Sequence, residues 1–182
     1  MAELAVVRRY ARALFGTAQR KDAVDQVEED LKSVDQVLRQ VPLLSRALRA
    51  PTIGTARKQE LVRRAFATRV GDLSLRFLAL VVDRGREDIL SDIYAEFQRL
   101  ANEQRNLLPV QVTSATELSD AERASLAQAV ARRTGKQAVL EVHVDPRLLG
   151  GVILRMGDTI IDGSVRTRLN QLKQRLLAGR AV

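Results

Sequence analysis

The hydrophobic period of this chain first changes at Asn106. Up to that point apolar residues recur every three or four positions. Beyond it come short runs that alternate apolar and polar residues. The first pattern belongs to amphipathic helices, and the second to strands with one buried face. One chain carrying both in sequence is predicted to be α+β overall. The expectation is an N-terminal all-α six-helix bundle over residues 1–105, followed by a small α/β domain over residues 106–182 with a mixed sheet and two helices.

The helical part reads as follows. Residues 4–20 place Val7, Tyr10, Ala11, Leu14 and Ala18 on one stripe, widened by Phe15. A second helix is expected over Asp22–Gln40, with acids crowding its first half, where they suit the helix dipole. Pro42 suits the first turn of a short helix to Arg49. Thr55 is the expected cap of a fourth helix reaching Thr68, and Asp72 the expected N-cap of a fifth over Leu73–Asp83. That fifth helix is apolar nearly all round, which suits either the centre of a bundle or a helix with one face left for a partner. A sixth runs from Glu87 to Gln104, with Ile89, Ile93 and Phe97 inward.

In the second part, Leu107–Thr113 reads as a strand, with Pro109 near its start. Ser119 and Glu122 form a capping box for a helix ending at Thr134, with Gly135 as its C′ residue. Ala138, Leu140, Val142 and Val144 alternate along a second strand. The stretch Asp145–Leu176 completes the unit. Gly150-Gly151 precede a strand, Gly157-Asp158 suit the positive backbone angles of a tight hairpin, and Asp162-Gly163-Ser164 end the next strand. Val165, Leu169, Leu172 and Leu176 then recur at helical spacing.

Chemistry is absent from this pattern. With no cysteine, thiolate nucleophiles, thiolate metal sites and disulfides are excluded. The single histidine, His143, shares a strand face with Glu141 and Asp145; neighbours on a strand diverge, so a lone surface histidine is favoured over a metal site. Gly150-Gly151 match neither a Walker loop nor a dinucleotide fingerprint. No catalytic, cofactor-binding or metal-ligating residue is assigned. The net charge of +8 divides evenly between residues 1–106 and 107–182, with acids interleaved. That favours a solvated basic surface over a phosphate-tracking one, and a basic nucleic-acid-binding or regulatory adaptor is the alternative reading. The Arg-rich first 20 residues could pass for a mitochondrial presequence, but they lack serine and their pattern runs on into the next helix. No apolar run reaches the roughly 20 residues a membrane span needs.

Three groups of residues carry a resemblance over essentially the whole chain. They are Tyr10-Ala11-Arg12-Ala13-Leu14-Phe15; Phe77 to Arg86 with Ile93 and Phe97; and Gly150-Gly151-Val152, Gly157-Asp158, Asp162-Gly163-Ser164-Val165 and Leu169. Together they resemble the delta-subunit family of F-type ATP synthases, whose mitochondrial relative confers oligomycin sensitivity. The terminal motif, with Gly150, Gly151, Gly157, Asp158, Asp162 and Gly163, is its most specific part and is expected to be structural. The Arg-heavy surface, poor in Ser and Thr, departs from the family and bears on partner specificity.

The resemblance implies a non-catalytic stator component, present once per complex, without cofactor or nucleic acid. It would join the catalytic head to the peripheral stalk, so that proton-driven rotation is coupled to ATP synthesis. Its helical domain would hold the N-terminal helix of an alpha subunit in a groove of the first and fifth helices, mapped here to Tyr10, Leu14, Phe77, Leu78 and Val81. The C-terminal domain would meet the b subunits. The implied location is the cytoplasmic face of a bacterial cell membrane, peripheral and without a span.

Overall fold

A computed structural model describes residues 2–178, with side chains described over 4–174. It is α+β, with eight α-helices and a four-stranded mixed sheet among the described residues. Two compact units divide the chain, Met1–Ala101 and Asn102–Val182, the boundary falling in the last turn of a helix.

In the first unit, α1 (Ala2–Arg20), α2 (Val24–Gln40), α3 (Pro42–Arg49), α4 (Thr55–Phe66), α5 (Asp72–Asp83) and α6 (Leu90–Gln104) follow one another. They enclose one apolar core, which draws Val7, Ala11 and Leu14 from α1, Val27 and Leu31 from α2, and Leu78 and Val81 from α5. Phe66 of α4 and Ile93 and Phe97 of α6 complete its centre.

Several helix starts differ from expectation, each for a local reason. Asp22 takes a positive φ of 51° in the turn after α1, so α2 starts at Val24. Gly54 and Gly71, not Thr55 and Asp72, occupy the N-cap positions of α4 and α5, and neither has a cap from a side chain next to it in sequence. The cap of α5 comes from across the unit instead. The Gly71 N–H donates to Asp30 Oδ2 of α2 at 2.9 Å, and Gln26 Nε2 donates to Asp30 Oδ1 at 2.9 Å. Glu87–Ile89 form a 3₁₀ turn before α6. There Glu87 is buried in an ion pair with Lys58 of α4, a contact that fixes the turn only because both charges are matched.

The second unit builds β1 (Leu107–Ser114), α7 (Asp120–Thr134), β2 (Gln137–Val144), β3 (Val152–Met156), β4 (Thr159–Asp162) and α8 (Val165–Ala178). The sheet order is β2-β1-β3-β4. β1 pairs parallel with β2 from Leu107↔Gln137 to Ser114↔Val144, and antiparallel with β3 from Gln111↔Arg155 to Ser114↔Val152. A parallel pair needs a crossover, and α7 supplies it. The Ser119–Glu122 capping box starts α7, and Gly135, at φ 71°, ends it. Val110, Val112, Val130 and Leu154 are the buried centre of this smaller core. In the β3–β4 hairpin only Gly157 takes a positive φ, 57°; Asp158 stays in the ordinary region.

Candidate partner-binding groove

α1 and α5 lie side by side and leave an open groove of about 340 Å³ between them. Each wall is a single helical stripe. From α1 come Tyr10, Ala13, Leu14 and Thr17, and from α5 come Leu73, Arg76, Phe77 and Leu80. Both sets are spaced i, i+3, i+4, i+7, so each covers two turns of one face, roughly 10 Å along the axis. The rings of Tyr10 and Phe77 meet edge-on at 6.4 Å and tie the walls together. Behind the groove, Phe15 meets Phe97 of α6 edge-on at 5.4 Å, which fixes α1 against the core. Arg9 stands at the α1 edge, its guanidinium 5.8 Å from the Tyr10 ring centroid. Arg76 stands on the α5 wall, 2.6 Å from Asp72.

The groove brings together three of the five residues mapped to it: Tyr10, Leu14 and Phe77. Leu78 and Val81 are a correction. Both are fully buried and belong to the core of the first unit; each follows a groove residue, Phe77 or Leu80, by one position, which turns the side chain about 100° around the helix. The residue the mapping missed is Leu80, which is 44% exposed. Its signal was the spacing itself, since Leu73, Phe77 and Leu80 share a stripe that excludes Leu78.

The second unit offers an exposed apolar stripe on α8, formed by Val165, Leu169 and Leu172, the two leucines more than half exposed. The side chain of Leu176 lies outside the described residues. The glycine-rich motif positions this helix. A Cβ on Gly151 would lie 2.5 Å from the Gly163 carbonyl oxygen, and one on Gly163 would lie 3.1 Å from the Val152 carbonyl oxygen. Only glycine lets the two backbones approach so closely, and Val165 N–H then donates to the Gly150 carbonyl at 3.0 Å. Asp162 accepts from Ser164 N–H at 2.8 Å and from Thr167 Oγ1 at 2.8 Å. These bonds, the Ser164 backbone one foremost, hold its carboxyl below the usual aspartate range.

The polar residues weighed for chemistry stay apart. His143 is exposed, with Nε2 3.6 Å from Glu141 Oε1, while Asp145 is engaged by Arg147 at 3.0 Å. Among the described residues no group of three or more His, Asp or Glu side chains is placed to hold a metal ion. Nor is any helix among them long and apolar enough to cross a membrane.

The family model of the ATP synthase delta (OSCP) subunit matches residues 6–176. The chain belongs to that family. A Desulforamulus reducens ATP synthase subunit delta is 40% identical over 174 residues, covering 96% of each chain. One from Heliobacterium modesticaldum is 41% identical over 174 residues, covering 95% of this chain and 94% of its own. Among solved structures, a chain of the Toxoplasma gondii mitochondrial ATP synthase hexamer aligns over 94% of this chain and 97% of its own. Its TM-score is 0.67 at 22% identity, which speaks for the fold. The ATP synthase delta (OSCP) family is a family of non-catalytic structural subunits. The chain is accordingly a stator subunit of a membrane-associated rotary complex.

Proposed function

We propose that the α1–α5 groove receives the N-terminal helix of an alpha subunit of the catalytic head, while the unit spanning residues 106–182 holds the b subunits of the peripheral stalk. In this reading α1–α6 act as a six-helix bundle clamped to the head. The protein sits peripherally on the cytoplasmic side of a bacterial cell membrane and keeps the head from turning with the rotor. The observation that carries the reading is the pair of matched stripes. Two helices present i, i+3, i+4, i+7 faces to a common apolar groove, the shape that accepts one amphipathic helix. The exposed Val165–Leu169–Leu172 stripe of α8 supports a second attachment. Two attachments on one small protein combine their affinities when the geometry permits both at once.

Calorimetric titration with a synthetic peptide of the alpha subunit's N-terminus tests the groove. Binding at micromolar concentration is expected. Leu80→Asp should weaken it at least about tenfold, as loss of a central apolar anchor does, while moving stability little because Leu80 is already half in water. Leu78→Asp would not discriminate, since it buries a charge in the core and unfolds the unit. Absence of peptide binding, or binding indifferent to Leu80→Asp, would reject the groove assignment.

A further inference from the structure

Resting on the groove reading above, we propose that Arg9 and Arg76 select the partner by charge, so that the groove takes an amphipathic helix whose apolar ridge is flanked on both shoulders by carboxylates. The two arginines are the charged side chains among the residues lining the groove, and each wall contributes one. No aspartate or glutamate lines it among the described residues. Each arginine also opens onto a second basic cleft outside the groove. Arg9 continues into a shallow hollow shared with Arg8 and Arg12, and Arg76 into one between α4 and α5 shared with Arg63. The apolar floor is therefore bordered on both sides by positive charge.

The acids near these borders do not cancel them. Asp72 pairs with Arg76 in a largely exposed i,i+4 contact, a weak kind of ion pair and one a partner carboxylate can share. Glu96 is committed to Arg99, whose hydrogen bond holds its carboxyl below the usual glutamate range, with Arg8 and Arg12 adding to the effect. Arg9 is steered by stacking over Tyr10, which sets its guanidinium at the groove edge. A helix seated with its ridge in the groove presents its flanking positions to these edges, as e and g positions do in a coiled coil. Charges at an interface rim act mainly on the encounter rate and on partner choice, so the effect belongs to association and to its salt dependence.

Stopped-flow mixing of the full chain with synthetic helical peptides tests this. Three peptides share one Leu/Ile ridge and carry Glu, Gln or Lys on both shoulders; a fourth has the Glu composition but a scrambled ridge. The Glu peptide should associate about tenfold faster than the Gln peptide at low ionic strength, and the gap should close at high salt. Arg9→Gln combined with Arg76→Gln should remove most of that gap, slowing the Glu peptide far more than the Gln peptide. Equal rates for Glu and Gln peptides, with binding still abolished by Leu80→Asp, would overturn the charge selection and leave the groove standing. Fastest binding of the Lys peptide would overturn it too. Equally fast binding of the scrambled peptide would reveal a diffuse polyanion surface and overturn it as well. Failure of every ridged peptide to bind would remove the groove reading and this proposal together.

Discussion

Gly151 and Gly157 both hold positive φ angles, 80° and 57°, yet they do different work. Around Gly157 a Cβ would meet nothing, whereas at Gly151 it would collide with the backbone of Gly163 and Ser164. Gly157→Ala should therefore cost only the left-handed backbone penalty, about 1 kcal/mol. Gly151→Ala should cost about 3 kcal/mol, backbone strain plus overpacking. Urea denaturation followed on the second unit separates the two, and equal losses would mean that close approach is not why Gly151 is there. Asp162 gives a pH prediction. Its folded carboxyl titrates below its unfolded value, so its contribution is present at neutral pH and is lost as pH falls through the folded value. Melting temperature against pH should show a shallower acid limb for Asp162→Asn than for the parent chain.

At the scale of elements, α5 is positioned by a residue far away in sequence. Asp30, 3% exposed on α2, supplies the acceptor that the N-terminus of α5 lacks locally, and places a carboxylate at the positive end of that helix. Asp30→Ala strands the Gly71 N–H and should cost about 2 kcal/mol. Faster hydrogen exchange in the first turn of α5 is the local sign; unchanged exchange there would show that the cap does not hold it. This contact was not legible in the sequence, because 41 positions separate its partners. The Ser119–Glu122 box was legible, because both halves of it are local. The same contrast explains the groove. Eight helical segments, four strands and their order followed from hydrophobic period and turn residues, which act over a few positions. Along α5, however, apolar residues occupy nearly every face, and the choice between Leu78 and Leu80 is made by which sides the other helices of the unit, α2 and α4 among them, cover. A helix that is apolar all round carries no internal record of which side is left open. The 3₁₀ start at Glu87 escaped for a similar reason, since the buried Lys58 that holds it comes from another helix.

For the whole molecule, the two units differ in how much they bury. The first draws a continuous core from α1 to α6, while the second centres on Val110, Val112, Val130 and Leu154 among the described residues. A unit with little interior is marginal alone, and α8 leaves Leu169 and Leu172 in water. Urea titration should show two steps, with circular dichroism and strand-specific amide exchange reporting loss of the second unit first. A fragment of residues 1–101 should keep a single cooperative transition. Coincident loss of both units would contradict this. The pairing of β1 has a mechanical meaning as well. β1 follows directly on α6, and its first residue, Leu107, lies at one end of the sheet. Asp162, from which the chain passes to α8, lies at the other end, level with Ile153 and Thr113. Tension that enters at Leu107 and leaves through α8 therefore runs along the strands. It loads the β1–β3 and β3–β4 ladders in shear, so their hydrogen bonds share the force at once and do not peel open one by one. A sheet strapped in this way resists being drawn out along its strands.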